Sequence, residues 1–336
     1  MRIWVELSGE NIELARAEAM AVVTTLGGKA VGGSGEVPSA FLSAEWPANS
    51  EVGPLVERLA LARRVFLELA GPEGAAVERA LEDGARSRGG SARLDWFRSP
   101  ADGSDLLHHL ADAYVRGGGS IRMERPDRRF LLVAASRKEL HLLEEKAAVD
   151  RHQYEGRRMP RLPFQRPVSL APRLARAAAN LAGAGPGQRV ADPFVGTGAL
   201  LLEAGLLGAR LFGSDIDVDM VRGAMRNLSA FGLSAEALTV RDAAEASVDL
   251  PWPEVDAILT DPPYGRASST GGEEPTELLR RVLPRWAERV ARGGRIVVIG
   301  PAGPEALPPP WRKVFSATER VHRSLSREFR VYRRDG

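Results

Sequence analysis

Val190-Ala191-Asp192-Pro193-Phe194-Val195-Gly196-Thr197-Gly198 reads as the end of a strand, a tight turn and the opening of a helix. Glycine lets backbone approach a ligand closely, and a helix N-terminus offers free N–H groups to an anion. A dinucleotide-binding loop would place a third glycine three residues on, where this chain has Leu201, and Asp192 stands four residues before the first glycine. Outward from this loop, helix and strand alternate. A helix is predicted at about 170–183, strand 188–192, helix 197–207, strand 209–215, helix 217–231, strand 255–260, helix 275–292 and strand 295–300. Such alternation specifies a mostly parallel sheet covered by helices, an α/β fold. Short strand candidates near 312–317 and 328–333 would close it with an antiparallel hairpin.

Three further motifs fall at the carboxyl ends of predicted strands, where open parallel sheets bind ligands. Gly213-Ser214-Asp215-Ile216-Asp217 places Asp215 17 residues after Gly198, as a carboxylate that accepts ribose hydroxyls would be placed. Asp217 suits the cap of the next helix. Val240-Arg241-Asp242-Ala243 follows the third strand; alone it is an ordinary turn, and only its place beside the others suggests an acceptor for an adenine amino group.

Thr260-Asp261-Pro262-Pro263-Tyr264-Gly265 ends the fourth strand. Its two prolines stiffen the turn. Asp261 and the Pro262 carbonyl then form a fixed pair of acceptors. An exocyclic amine is a poor nucleophile because its lone pair conjugates with the ring. Two acceptors holding both N–H bonds favour a pyramidal nitrogen whose lone pair can aim at a sulfonium methyl, a case of electrostatic preorganisation and proximity. Tyr264 offers a face on which an extruded base can stack. A purely structural turn is the plain alternative; Pro308-Pro309-Pro310 is such a loop.

Composition sets the limits. The chain has 336 residues, 44% of them hydrophobic, and no cysteine. That excludes disulfides, thiolate catalysis and cysteine zinc sites. The five histidines lack the i, i+4 spacing of a helical metal site, so no metal is expected. No apolar run approaches the ~20 residues of a membrane span, and the N-terminus lacks a signal-peptide core; a cytoplasmic protein is expected. Scarce amide side chains fit a thermophilic source, and a GC-rich genome gives the same bias. The net charge of +2 conceals a basic cluster at residues 151–176, with seven arginines against Glu155 alone. Each arginine alone is best read as solvated surface, but the density suggests a polyanion partner. Arg157, Arg158, Arg161 and Arg166 lie in a proline-rich stretch read as an extended linker. Residues 1–62 suit a small α+β unit of ferredoxin-like type, and residues 63–155 a second α+β unit.

Asp192 to Gly198 followed by Asp261 to Tyr264 resembles the Rossmann-fold methyltransferases of amino nitrogens. Arg161-Leu162-Pro163-Phe164-Gln165-Arg166-Pro167, Pro172-Arg173-Leu174-Ala175-Arg176, Asn180-Leu181-Ala182, Ala204-Gly205, Met220 to Asn227 and Gly265-Arg266 are similar to the catalytic domain of THUMP-containing tRNA guanine-N2 methyltransferases. The resemblance is specific over about 157–300. It implies residues 1–62 as a ferredoxin-like domain, 63–155 as a THUMP RNA-binding domain and 156–336 as linker and catalytic domain. It implies S-adenosylmethionine held by Asp192, Phe194, Gly196, Thr197, Gly198, Ala199, Asp215, Ile216, Asp242 and Ala243, with Pro167 reaching the methionine end. Asp261, Pro262, Pro263 and Tyr264 would hold the target amine. The implied substrate is tRNA, modified at guanosine 6 by preference or at guanosine 10. Nothing in the sequence points to an obligate protein partner. The competing readings are an adenine-N6 DNA methyltransferase, a protein-glutamine methyltransferase and a catalytically inactive RNA-binding protein.

Overall fold

The strand that leads into the glycine loop, β9 (Arg189–Asp192), is buried along nearly its whole length. So is β12 (Val255–Thr260), which pairs with it in parallel. Strands covered on both faces carry apolar runs: Ala257-Ile258-Leu259 in β12 and the shorter Val190-Ala191 in β9. The computed structural model describes residues 1–31, 37–98, 103–134, 139–158, 161–166, 169–242, 252–262, 274–303, 307–322 and 325–336. The chain divides into two compact units.

The larger unit comprises Arg151–Gly336 with Glu13–Val22 and Arg58–Leu61. After β9 come α6 (Ala199–Leu206), β10 (Arg210–Asp215), α7 (Val218–Ser229), β11 (Ala237–Val240), β12, α8 (Pro275–Glu288), β13 (Val290–Gly300), β14 (Trp311–His322) and β15 (Leu325–Arg334). Their sheet runs β11-β10-β9-β12-β13-β15-β14. The first five strands are parallel to one another, and β15 and β14 are antiparallel to their neighbours. The expected edge hairpin is therefore present. From β9 the chain runs outward through β10 and β11, then returns to start β12 on the other side of β9. That reversal places a crevice at the carboxyl ends of β9 and β12. Under the sheet, Trp286 of α8 is fully buried among Ile258, Val282, Ile296 and Val298.

Two boundaries differ from expectation. α8 ends at Glu288, because Val290 already pairs with Val255. Between that pair and Ala257–Arg295 the register shifts, and Gly293 takes up the irregularity in the left-handed region at φ 76°. The stretch read as an extended linker is docked: Arg157, the last residue of a 3-10 helix (His152–Arg157) that buries Tyr154, is itself buried, as are Leu162 and Phe164.

Ahead of β9, α5 (Pro172–Ala182) is buried along most of its length by its small alanines. Its two buried polar side chains are both paired. Asn180 donates to Glu18 (2.8 Å) and to the Arg58 carbonyl (2.9 Å). Glu18 also accepts from the Ala60 and Leu61 N–H groups (2.9 and 2.8 Å). Complete burial still pushes this carboxyl up to about 7. Arg176 donates to Glu203 of α6 at 2.8 Å, and Arg157 donates to the other oxygen of the same carboxylate at 2.6 Å. Glu203 is 1% exposed.

The smaller unit comprises Met1–Ile12, Val23–Glu57 and Ala62–Asp150. Its strands are β1 (Arg2–Leu7), β2 (Lys29–Ala30), β3 (Phe41–Glu45), β4 (Ala62–Ala70), β5 (Ser91–Phe97), β6 (Ser120–Ile121), β7 (Arg128–Ala134) and β8 (Leu140–Ala148). They form one sheet in the order β2-β3-β1-β4-β8-β7-β5-β6. With α1 (Ile12–Thr25) between β1 and β2, and α2 (Gly53–Arg58) between β3 and β4, the first four strands follow the split βαβ order of a ferredoxin-like unit. One sheet joins strands from both sides of residue 62: β4 pairs with β1 on one side and β8 on the other. β8 is hidden from sequence patterning. Its first half, Leu140 to Glu144, is buried at every position and gives no alternation. α3 (Gly74–Arg88) and α4 (Gly103–Arg116) pack Val77, Leu81, Leu110 and Tyr114 against Phe130, Leu132 and Leu142.

Removing one member of a buried ion-pair group leaves the others charged and unpaired, at a cost of about 3–5 kcal/mol. Glu203→Ala strands two buried guanidinium groups at once. Its expected loss of unfolding free energy in a denaturant titration falls in that range, and a loss below ~1 kcal/mol would show that the triad does not anchor Arg157 and α5.

Candidate active site

The carboxyl end of β9 is locked to that of β12 by a buried hydrogen bond. Thr260 Oγ1, fully buried, donates to Asp192 Oδ1 at 2.8 Å. The same oxygen accepts the Phe194 N–H at 3.0 Å, which turns the chain immediately after the strand. The Phe194 ring then meets Trp286 edge-on, with centroids 5.5 Å apart. Val195 N–H bonds the Ser214 carbonyl at 2.9 Å, tying the loop to β10.

The next residues use the conformational freedom of glycine. Gly196 and Gly198 have φ of 52° and 82°. A Cβ at Gly198 would press on Ala224 of α7, so this glycine allows the loop to close on that helix. Among the described residues, the one atom near such a Cβ at Gly196 is the Phe194 carbonyl oxygen, 3.9 Å away, which leaves room for a ligand on this side of the loop. Thr197 between them is buried, and Ala199, half-buried, begins α6.

Asp215 ends β10 and is held by backbone. Its Oδ2 accepts from Gly196 N–H (2.8 Å) and its Oδ1 from Asp217 N–H (3.0 Å). Asp217 caps α7 by accepting from Asp219 N–H at 2.7 Å. Beside Asp215, Ile216 is 68% exposed, an apolar face on which an aromatic ring could rest. Asp242 follows β11 and is half-buried. Asp261, directly after Thr260, is half-buried, and Pro262 is buried. Pro167, Ala243, Pro263 and Tyr264 lie outside the described residues.

Burial drives the Asp192 carboxyl up to about 8, and the negative charges of Asp215 and Asp261 push it the same way. Asp215 is also raised, chiefly by burial. The charges of Asp215 and Asp261 thus meet at the crevice beside Asp192, which favours a ligand bearing positive charge. A nucleoside joined to a sulfonium and an ammonium fits these donors and acceptors: hydroxyls for Asp215, an apolar rest at Ile216, an open backbone at Gly196. Among the described residues no three His, Asp or Glu side chains converge as metal ligands, and no helix is long and apolar enough to cross a membrane.

The four linker arginines divide. Arg157 is a correction to the expected nucleic-acid contacts: it is 9% exposed and bound to Glu203 and the Gln153 carbonyl. A guanidinium committed to a buried carboxylate has no free charge for phosphate. Arg158 and Arg161 are exposed, Arg158 beside Glu155 at 3.4 Å. Arg166, half-buried, lies over the Phe164 ring at 4.6 Å.

Two polar residues that shape this site escape a reading of the sequence. Thr260 has the type and buried setting of an ordinary strand residue, and only its place before Asp261 hints at a role. Asn227, fully buried on α7, carries a visible sign: an amide on the apolar face of an amphipathic helix, in a chain with few amides.

The UPF0020 family, described as "RMKL-like, methyltransferase domain", matches residues 160–307. A tRNA (guanine(10)-N2)-dimethyltransferase of Methanothermobacter thermautotrophicus is 40% identical over 194 residues, covering 56% of each chain. A tRNA (guanine(6)-N2)-methyltransferase of Thermus thermophilus is 40% identical over 115 residues, 33% of this chain and 32% of that protein. The chain matches little more than half the length of its first relatives, 56%, 54% and 52%. The crystal structure of TrmN from Thermus thermophilus aligns with 99% of this chain and 100% of its own, at a TM-score of 0.51 and 23% identity, a likeness of fold.

The Asp192 value implies a pH dependence. The folded chain holds this proton between the ordinary carboxyl value of 3.8 and about 8, where the unfolded chain has released it. Its contribution to stability is therefore full below the lower value and falls as pH rises through the window. Asp192→Asn keeps an acceptor for Thr260 and Phe194 N–H but does not titrate. The variant should lose less Tm than the parent between pH 5 and pH 8, Glu18 accounting for part of the remaining slope; equal slopes would contradict the assignment.

Proposed function

With residues 160–307 matching a methyltransferase domain of the UPF0020 family, we propose that the chain transfers a methyl group from S-adenosylmethionine to the exocyclic N2 of a guanosine in tRNA. The observation that carries this reading is the placement of Asp192, Asp215 and Asp261 at the carboxyl ends of β9, β10 and β12, around a glycine loop open at Gly196. S-adenosylmethionine supplies an electrophilic methyl on a sulfonium.

Asp215 accepts the ribose hydroxyls in this reading. Gly196, Thr197, Gly198 and Ala199 let the cofactor lie close to the backbone, and Phe194, Ile216, Asp242 and Ala243 border it. Pro167 adjoins its methionine end. Asp261 and the Pro262 carbonyl accept the two N–H bonds of the guanine amine and keep its lone pair directed; Pro263 stiffens the turn and Tyr264 stacks on the base. The fixed acceptors lower the barrier because they are already oriented when charge develops on nitrogen. After transfer the amine carries a surplus proton, and the Asp261 carboxylate is the acceptor placed to take it.

The tRNA partner is supported by the names of the relatives and by exposed Arg158 and Arg161, with Arg166 at their edge. We read the ferredoxin-like strands and the remainder of residues 1–155 as the RNA-docking part, including a THUMP domain within 63–155, and the protein as cytoplasmic. The preferred position is guanosine 6. Position 10 is a second reading, favoured by the longer match to the position-10 enzyme, 194 residues against 115.

Two substitutions separate the roles. Asp261→Ala should lower methyl transfer by on the order of 10²-fold or more, as loss of one preorganised catalytic hydrogen-bonding group does, while S-adenosylhomocysteine affinity by calorimetry changes only a few-fold. Asp215→Ala should weaken S-adenosylhomocysteine by about tenfold or more, because charged hydrogen bonds are lost. Near-normal turnover in the first, or unchanged affinity in the second, would overturn the corresponding role.

A further inference from the structure

Between the basic segment and the glycine loop stands one fully buried carboxamide, that of Asn227 on α7. Among the described residues it makes three hydrogen bonds of good length, and all go to backbone. Its Oδ1 accepts the Phe164 N–H at 2.9 Å; its Nδ2 donates to the Phe164 carbonyl and to the Thr197 carbonyl, each at 2.9 Å. The pair of bonds to Phe164 grips one residue by both its backbone groups, much as a neighbouring strand would. The third bond reaches the residue between Gly196 and Gly198.

Thr197 is held on its other side as well: its hydroxyl lies 2.9 Å from Ser169 Oγ. The loop residue is thus fixed by its carbonyl to α7 and by its hydroxyl to Ser169, within the basic segment. Two glycines with positive φ give this loop little conformational preference of its own. Its shape therefore depends on such external bonds.

The Phe164 ring completes the arrangement. It is 8% exposed and lies flush against α7 at Gly223, where a Cβ would fall within the ring. Arg166 and Arg226 cover it at 4.6 and 5.5 Å. Gly223 is fully helical and not in the left-handed region, so it is the space for Phe164, and not backbone strain, that calls for a glycine there.

We propose that Asn227 is a positioning residue of the cofactor site, setting the Thr197 peptide and the segment 161–166 against each other so that the glycine loop is preshaped for its ligand, with Gly223 and Phe164 as the packing half of the same device. It touches neither cofactor nor substrate; it acts through Thr197. This rests on the S-adenosylmethionine reading of the site and extends it to residues behind the loop.

The test is a set of variants of the full chain with S-adenosylhomocysteine as the calorimetric probe. A merely structural role would lower the folded fraction, read as stoichiometry, and leave the dissociation constant of the folded molecules unchanged. Asn227→Ala removes buried hydrogen bonds and leaves their partners unpaired, and should raise the dissociation constant about tenfold. Gly223→Ala is the independent perturbation. Alanine is favoured over glycine in a helix interior, so α7 itself should persist while the Phe164 ring is displaced, and the dissociation constant should again rise severalfold. In a Phe164→Ala background, where the ring is gone, Gly223→Ala should change affinity less than about twofold, the non-additivity expected of residues in contact. Unchanged dissociation constants in Asn227→Ala and Gly223→Ala, or an undiminished Gly223→Ala effect without the ring, would overturn the proposal. If the parent chain binds no S-adenosylhomocysteine, the cofactor reading falls and this inference with it; parent binding with indifferent variants overturns only the inference.

Discussion

The hydrogen bond from Thr260 to Asp192 joins the carboxyl ends of the two central strands at the reversal of the sheet. Everything at the crevice is placed by reference to it. On one side the Asp192 carboxyl turns the chain at Phe194 and starts the glycine loop. On the other, Thr260 is followed at once by Asp261 and the buried Pro262. The loop donates its Gly196 N–H to Asp215, so three carboxylates on three neighbouring strands are brought to one place. Burial makes that expensive, which is why Asp192 is driven up to about 8. The charges of Asp215 and Asp261 beside it are the natural counterpart of a ligand that carries positive charge.

Much of this is legible in the chain. The glycine loop, Asp215 before a helix cap, and Asp261 with its prolines are short, local patterns, and each falls at a strand end because strand and helix alternate with the right lengths. β12 is found where its apolar run predicts, Val255–Thr260. Non-local features are hidden. β8 is buried on both faces for half its length, a half that includes His141 and also Glu144, paired with Arg128 and Lys146; a buried run that mixes leucines with charged and polar side chains shows no period. The sheet shared by β1, β4 and β8 cannot be seen from local patterning, because pairing partners lie far apart in sequence.

The arginine-rich stretch shows the limit most clearly. Charge density alone cannot separate Arg157, which faces Glu203 at 2.6 Å, from Arg158, which faces solvent. The distinction is made by a glutamate 46 residues further on in the chain. In the same way Glu18, near the N-terminus, is bound by Asn180 and by the backbone of residues 60 and 61, all in the larger unit. A boundary drawn between residues 155 and 156 would separate Glu18 from Asn180. The larger unit is discontinuous because its buried polar groups find their partners in early parts of the chain.

The proposed chemistry places an amine, held by Asp261 and the Pro262 carbonyl, at the mouth of this crevice. The most direct test is to incubate the full chain with transcribed tRNA and isotopically labelled S-adenosylmethionine, then digest the RNA and identify the labelled nucleoside by mass spectrometry, with duplex DNA as the parallel substrate. The account predicts N2-methylguanosine in tRNA, mapped to position 6, and no label in DNA. A label at position 10 would correct the position alone; N6-methyladenine in DNA, or tRNA left unlabelled, would contradict the account.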